Sequence, residues 1–396
     1  MNELRRTLLA CALAALAVLA AAPAASAAGQ SHRPVCPGPA NAGAALCHAH
    51  VVTDARGTPH VTSAPAGYGP AQFRTAYNLP SGAPAPQTIA IVDAYDSPTI
   101  ESDLAVYSST FGLPPCTTAN GCFRKVNQNG AAGPYPIKNA GWALEIALDV
   151  EVAHAICPNC RILLVEASSN SLANLATAVN TAARLGATQI SNSYGASEFS
   201  SEGTITAYDH PGIAITASSG DYGYGTSFPA ASPTVVAVGG TTLTLGAGDA
   251  WAGETVWSGA GSGCSAYLAA KPMQTSLGAW SLTGCGTKRA IADVAADADP
   301  ATGAAVYDTT KYQGRSGWFT VGGTSLSAPL IAGVYALAGN AATVAYPASL
   351  PYANRSALHD VTSGSNGTCA YVRMCKGLVG YDGPTGLGTP NGVGSF

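Results

Sequence analysis

The chain has 396 residues, 47% of them hydrophobic and only 10% charged, with a formal net charge of −4. That length suits one large domain or two small ones, and the mildly acidic balance argues against a nucleic-acid partner. So few charges leave little scope for surface ion pairs, a composition suited to a protein that meets changing pH. At the start, Arg5 and Arg6 precede an apolar run from Leu8 to Ala22, closed by the small residues Ala25, Ser26 and Ala27. This pattern predicts a secretory signal peptide over residues 1–27. Its removal takes away Arg5, Arg6 and Glu3, so the net charge becomes about −5. The run is short for a membrane span and no other stretch reaches its length. The product is expected to be extracellular and monomeric, without membrane or nucleic-acid partners.

Residues 28–67 are rich in Pro, Gly and Ala with little periodicity, and read as a short irregular leader. From Tyr68 onward the pattern changes to that of one large domain, 68–396. A buried strand is predicted at 88–95 and a helix at 97–112, with Ser97 as cap and Pro98 at its start. A second helix covers 139–156, a strand 161–167, and a third helix 171–186, closed by Gly186. Further strands fall at 188–195, 212–221 and 234–240. Short apolar runs alternating with helices predict an α/β fold, a parallel sheet with helices on both faces. Working groups then gather at the carboxyl ends of the strands.

Eleven cysteines are present, and Cys11 leaves with the signal peptide. The remaining ten fall in near pairs: Cys36 and Cys47, Cys116 and Cys122, Cys157 and Cys160, Cys264 and Cys285, Cys369 and Cys375. Five local disulfides in that order suit an oxidising compartment, although spacing alone leaves connectivity open. The lone CxxC at 157–160 also matches redox and zinc motifs; a structural bridge is the expectation in an exported chain.

The stretch VGGTSLSAPLIAGV, 321–334, delivers Ser325 from a Gly-rich turn to the start of an apolar helix, with a Pro in its first turn. A serine hydroxyl needs a base to take its proton. None of the histidines stands in the HGT context that opens a helix in a histidine-based site, and His154 falls on the face of 139–156 read as solvated. On that helix Trp142, Glu145, Leu148, Asp149, Val152 and Ile156 share an arc of about 120°. Two carboxyls one turn apart therefore sit among large apolar side chains, where burial and like charge both oppose ionisation. Such acids titrate as a pair, and a carboxylate can serve as base where the reaction runs in acid. Glu145 is the candidate base for Ser325, and Asp149 the group that holds it.

With WALEIALD, GGTSLSAP and ASSGDYG in this order, the chain resembles the sedolisins, serine-carboxyl peptidases with a subtilisin-like fold. The likeness covers about Gly67 to Phe396 and includes the entry GYGPAQFRTAYNLP. It implies Ser325 as nucleophile, Glu145 as general base and acid, Asp149 as its partner, and Asp221 in the oxyanion hole. Asp93, at the end of the first strand, extends the carboxyl network where the family often has Glu. The resemblance also implies a C-terminal calcium site: Asp360 and the Val361 carbonyl from HDVTSG, then the Leu378 and Gly380 carbonyls and Asp382 from GLVGYDGPTG. All are hard oxygen donors, as calcium requires.

Family precursors usually carry a long folded pro-domain, whereas only about 40 residues separate the expected cleavage site from Tyr68. The implied function is acid endopeptidase action on polypeptides. A tripeptidyl-peptidase of the same family, a neutral histidine-based peptidase and a non-catalytic binding protein on a peptidase fold stand as alternatives.

Overall fold

Strand Thr88–Ala94 is buried at every position after Thr88, because parallel strands are covered on both faces and so read as unbroken apolar runs. The computed structural model describes residues 31–38 and 43–396; the expected signal peptide at 1–27 lies outside the described residues. The strand sits within an eight-stranded sheet. Its order is Trp251–Val256, Val236–Leu245, Ala214–Ser218, Gln189–Asn192, Thr88–Ala94, Arg161–Ala167 and Phe123–Asn127, with Val294–Asp297 also pairing with Val236–Leu245. All pairings are parallel except the antiparallel edge strand Trp251–Val256. The sheet is thus mixed and mostly parallel. The strand predicted at 188–195 breaks into Gln189–Asn192 and Tyr194–Gly195. The expected helices appear as Ile100–Phe111, Ala140–Ile156 and Leu172–Arg184. The first starts later than expected, capped by Thr99 rather than Ser97.

Helix Ala140–Ile156 is buried from Trp142 onward on every side. It packs against strand Thr88–Ala94, helix Thr324–Ala338 and strand Ala304–Tyr312. That corrects the solvated face expected for His154. His154 is fully buried, its Nε2 is 3.0 Å from the Pro114 carbonyl oxygen, and Glu151 accepts from the Tyr307 amide at 2.9 Å. A helical wheel finds one apolar face; it does not see the antiparallel pair Ala304–Tyr312 and Arg315–Gly322 that covers the other.

The irregular leader is also corrected. Strands His32–Pro34, His50–Val52 and Val61–Thr62 complete a five-stranded sheet around that antiparallel pair, and Leu46–Cys47 pairs with Tyr194–Gly195. These strands are too short to leave an alternation in sequence, and edge pairing, not periodicity, orders them. All five disulfides have the expected partners.

The two central helices touch where Gly333 faces Ile156: a Cβ on Gly333 would lie 2.5 Å from Ile156 Cγ2. Gly333→Ala gains helix propensity of about 1 kcal/mol but overpacks this contact. We expect a net loss of about 1–2 kcal/mol in a denaturant melt; an unchanged or raised midpoint would contradict the close approach.

Candidate active site

Strand Arg315–Gly322 ends at Gly323, whose φ of 99° belongs to glycine. A side chain there would collide with the His48 carbonyl oxygen and with Asp221 Oδ2. The turn aims Ser325, second residue of helix Thr324–Ala338, at the ends of the parallel strands. Its backbone N–H has no partner within the helix and donates to the His48 carbonyl at 2.9 Å. Its hydroxyl donates to the Ser193 carbonyl at 3.1 Å. Pro329 lies in the second helical turn, not the first as expected. Lacking an N–H, it leaves the Ser325 carbonyl free, and Ser193 Oγ donates to it at 3.4 Å.

The structure brings Glu145, Asp149 and Asp93 together with this serine. All three carboxyls are fully buried, and their six oxygens have no hydrogen-bond partner among the described residues. Burial pushes Asp93 up to about 8. Burial, then the Asp93 charge, raise Glu145 and Asp149 well above the usual carboxyl range; the Ser325 hydroxyl opposes this at Glu145 and the Ser193 hydroxyl at Asp149. Three adjacent carboxyls in a dry interior cannot all ionise, so the cluster keeps protons into the neutral range.

Asp221 follows strand Ala214–Ser218. Its Oδ1 accepts from Thr324 N at 2.8 Å and Thr324 Oγ1 at 2.7 Å. Its Oδ2 is buried without a hydrogen-bond partner, beside the His48 carbonyl oxygen at Gly323. Burial raises it to about 8. A protonated Asp221 can donate from Oδ2; an ionised one cannot.

Two histidines missed as neighbours in the sequence lie here. The His48 ring shares a hydrogen bond with Ser218 Oγ at 2.8 Å, and His50 Nε2 lies 3.8 Å from Asp221 Oδ2. Burial lowers them to about 4 and about 3. His48, Ser193 and Thr324 were not legible as site residues, because two act through backbone atoms and the third through a carboxyl it supports.

At the C-terminus, Asp360 Oδ2 accepts from Gly380 N and Asp382 Oδ2 from Leu378 N, each at 2.8 Å. Burial, with Asp360 adding to it, raises Asp382 to about 8. The carbonyl oxygens of Val361, Leu378 and Gly380 receive no hydrogen bond among the described residues, although Val361 is buried. Two acids and three unpartnered carbonyls in one loop cluster fit a hard cation. By contrast, the Cys116, Cys122 and His154 cluster has its sulfurs in a disulfide.

Residues 136–360 match the subtilase family. The chain is 28% identical over 374 residues to sedolisin of Pseudomonas sp. (strain 101), covering 83% of this chain and 60% of that protein. It is 31% identical over 370 residues to kumamolisin of Bacillus sp. (strain MN-32), covering 84% and 63%. The chain therefore spans somewhat over half the length of these relatives. A solved structure of Pseudomonas sedolisin complexed with two molecules of pseudo-iodotyrostatin superposes with a TM-score of 0.68 at 27% identity, covering 83% of this chain and 96% of that one. No helix among the described residues is long and apolar enough to cross a membrane.

The raised carboxyls make stability depend on pH. Asp93 and Asp221 bind protons more tightly folded than unfolded, so their contribution is complete below about 4 and is lost as pH rises through about 8. His48 and His50, held neutral, oppose this only below about 6.5. Between pH 8 and 6.5 the acids act alone, and we expect the thermal midpoint to rise by roughly 5–10 °C on acidification across that range. A midpoint that falls would contradict the buried cluster.

Proposed function

Because the chain belongs to the subtilase family, as a subtilisin-like protein of sedolisin type, we propose that it is a secreted, acid-acting serine-carboxyl endopeptidase. Ser325 Oγ attacks the carbonyl carbon of a bound peptide while Glu145 takes its proton. Asp149, with Asp93 behind it, orients Glu145 and shares that proton within the cluster. The Ser325 N–H and the protonated Asp221 donate to the developing oxyanion, the step at which preorganised donors contribute most. Glu145 then returns the proton to the departing amine, and water releases the acyl group.

The observation that carries this reading is that Ser325 N donates to the His48 carbonyl oxygen at 2.9 Å, with Asp221 Oδ2 and that oxygen flanking the same space at Gly323, next to a buried carboxyl cluster. The nearby histidine rings do not serve the serine: His48 Nδ1 is taken by Ser218, and His50 Nδ1 lies 2.8 Å from His32 Nδ1. Burial keeps Asp221 protonated through the acid and neutral range, so the donor is present wherever pH is below about 8. Endopeptidase action is favoured over tripeptide removal because the segment ahead of His48 runs along the cleft. More than three of its residues lie there, from Gly43 to Cys47.

Asp360, the Val361, Leu378 and Gly380 carbonyls and Asp382 would hold a calcium ion, which would neutralise two acids and fix the C-terminal loops. No step of the reaction passes through it. The even cysteine pairing and the signal-like N-terminus support secretion.

Ser325→Ala and Glu145→Gln are each expected to lower kcat on a denatured protein by about 10³-fold or more, and Asp221→Asn by about 10²-fold. Full activity in any of the three would reject its assigned role, and a neutral-to-alkaline optimum would favour a histidine base. A calcium chelator should lower the thermal midpoint by several degrees, on the order of 5 °C, with recovery on adding calcium back; an unchanged midpoint would remove the calcium site.

A further inference from the structure

Residues 44–50 lie in the cleft as a bound peptide would. Leu46 and Cys47 pair antiparallel with Gly195 and Tyr194. The His48 N–H donates to the Ser193 carbonyl at 3.1 Å, and the His48 carbonyl accepts from Ser325 N at 2.9 Å. His48 thus occupies the place of the residue whose carbonyl a peptidase attacks. His48 is 3% exposed, and its ring enters a recess at the edge of a cavity of about 730 Å³.

We propose that this recess is the pocket that reads the side chain on the acyl side of the scissile bond, and that Ser218 makes it select histidine. The inference rests on the peptidase reading and names the substrate class of that same site. Glycines make the recess fit a flat ring. A Cβ on Gly195 would lie 2.5 Å from His48 Cε1 and 3.0 Å from Nε2, and one on Gly220 would lie 4.0 Å from Cε1. The polar contact is specific: Ser218 Oγ stands 2.8 Å from Nδ1, and its other contact, to the Asn192 carbonyl, is long at 3.4 Å. The Ser219 hydroxyl, on a residue lining the same cavity, is buried without a partner. A phenyl ring matches the imidazole in shape but leaves Ser218 poorly paired, and a site built to hydrogen-bond rejects an analogue that cannot. An imidazole both fills and satisfies the recess.

The test uses the full chain and peptides that differ only at the residue before the cleaved bond: His, Gln, Phe or Leu. We expect kcat/KM for His to exceed that for Phe by at least about tenfold. In Ser218→Ala the ratio should shrink to within about threefold. A Phe or Leu peptide cleaved as well as the His peptide, or a ratio unchanged in Ser218→Ala, would overturn the proposal. A second measurement needs no turnover: thermal midpoints of His48→Gln and His48→Phe. Selection for a hydrogen-bonding group predicts the lower midpoint for His48→Phe, and a midpoint equal to or above that of His48→Gln overturns the proposal whatever the activity. If no peptide is cleaved yet His48→Phe melts lower, the pocket's preference stands and the peptidase reading falls.

Discussion

Everything at the site follows from three carboxyl groups that are buried without an ion pair among the described residues. Water would ionise Asp93, Glu145 and Asp149 at neutral pH; the interior does not. They are dry because helix Ala140–Ile156 is closed in by the central sheet, by helix Thr324–Ala338 and by an antiparallel pair of strands. The same enclosure costs stability whenever these groups ionise, so the cluster holds protons well above the usual carboxyl range. Asp221 obeys the same rule across the cleft: burial keeps its proton, and the proton makes it a donor.

The N-terminal segment completes the enclosure. Ser325 has no exposed surface, and its backbone N–H is taken by the His48 carbonyl of this segment. The Cys36–Cys47 bridge ties the segment next to His48, and strands His32–Pro34 and His50–Val52 anchor it to the rest of the domain. On the proposed reading, a peptide entering the cleft replaces this segment's contacts with Ser193, Tyr194, Gly195 and Ser325. On that reading the segment shows what the cleft would accept: an extended chain, antiparallel to Tyr194–Gly195, with a ring beside Ser218. Its histidines are held neutral by burial, while the acids beneath keep their protons, so both kinds of group are uncharged in the closed site.

Much of this was legible in the residues. The strands at 88–95 and 161–167, the helix at 139–156 and the five cysteine pairs follow from apolar runs, caps and spacing. The approach of Glu145 and Asp149 to an apolar surface follows from the helical wheel, because period 3.6 puts them on one arc. What failed to appear has a common cause. His154 and Glu151 look solvated on that wheel because sequence does not report a second layer packed on the other face. Strands of two or three residues in 31–62 carry no periodicity, so the segment reads as irregular. Ser193 meets the Ser325 hydroxyl through its carbonyl, a contact that any residue type could make and that sequence therefore does not mark. The late position of Pro329 matters for a similar reason: its effect is on the Ser325 carbonyl one turn earlier, not on the turn that presents the serine.

The central claim is that carboxyl groups beside Ser325 hold protons at neutral pH. Infrared difference spectra in the carbonyl-stretch region, taken on the folded protein between pH 5 and 8, test it directly. The account predicts carboxylic-acid bands that persist at pH 7, and the loss of one such band in Asp93→Asn. A spectrum at pH 7 with only ionised carboxylates, in protein that remains folded, would contradict it.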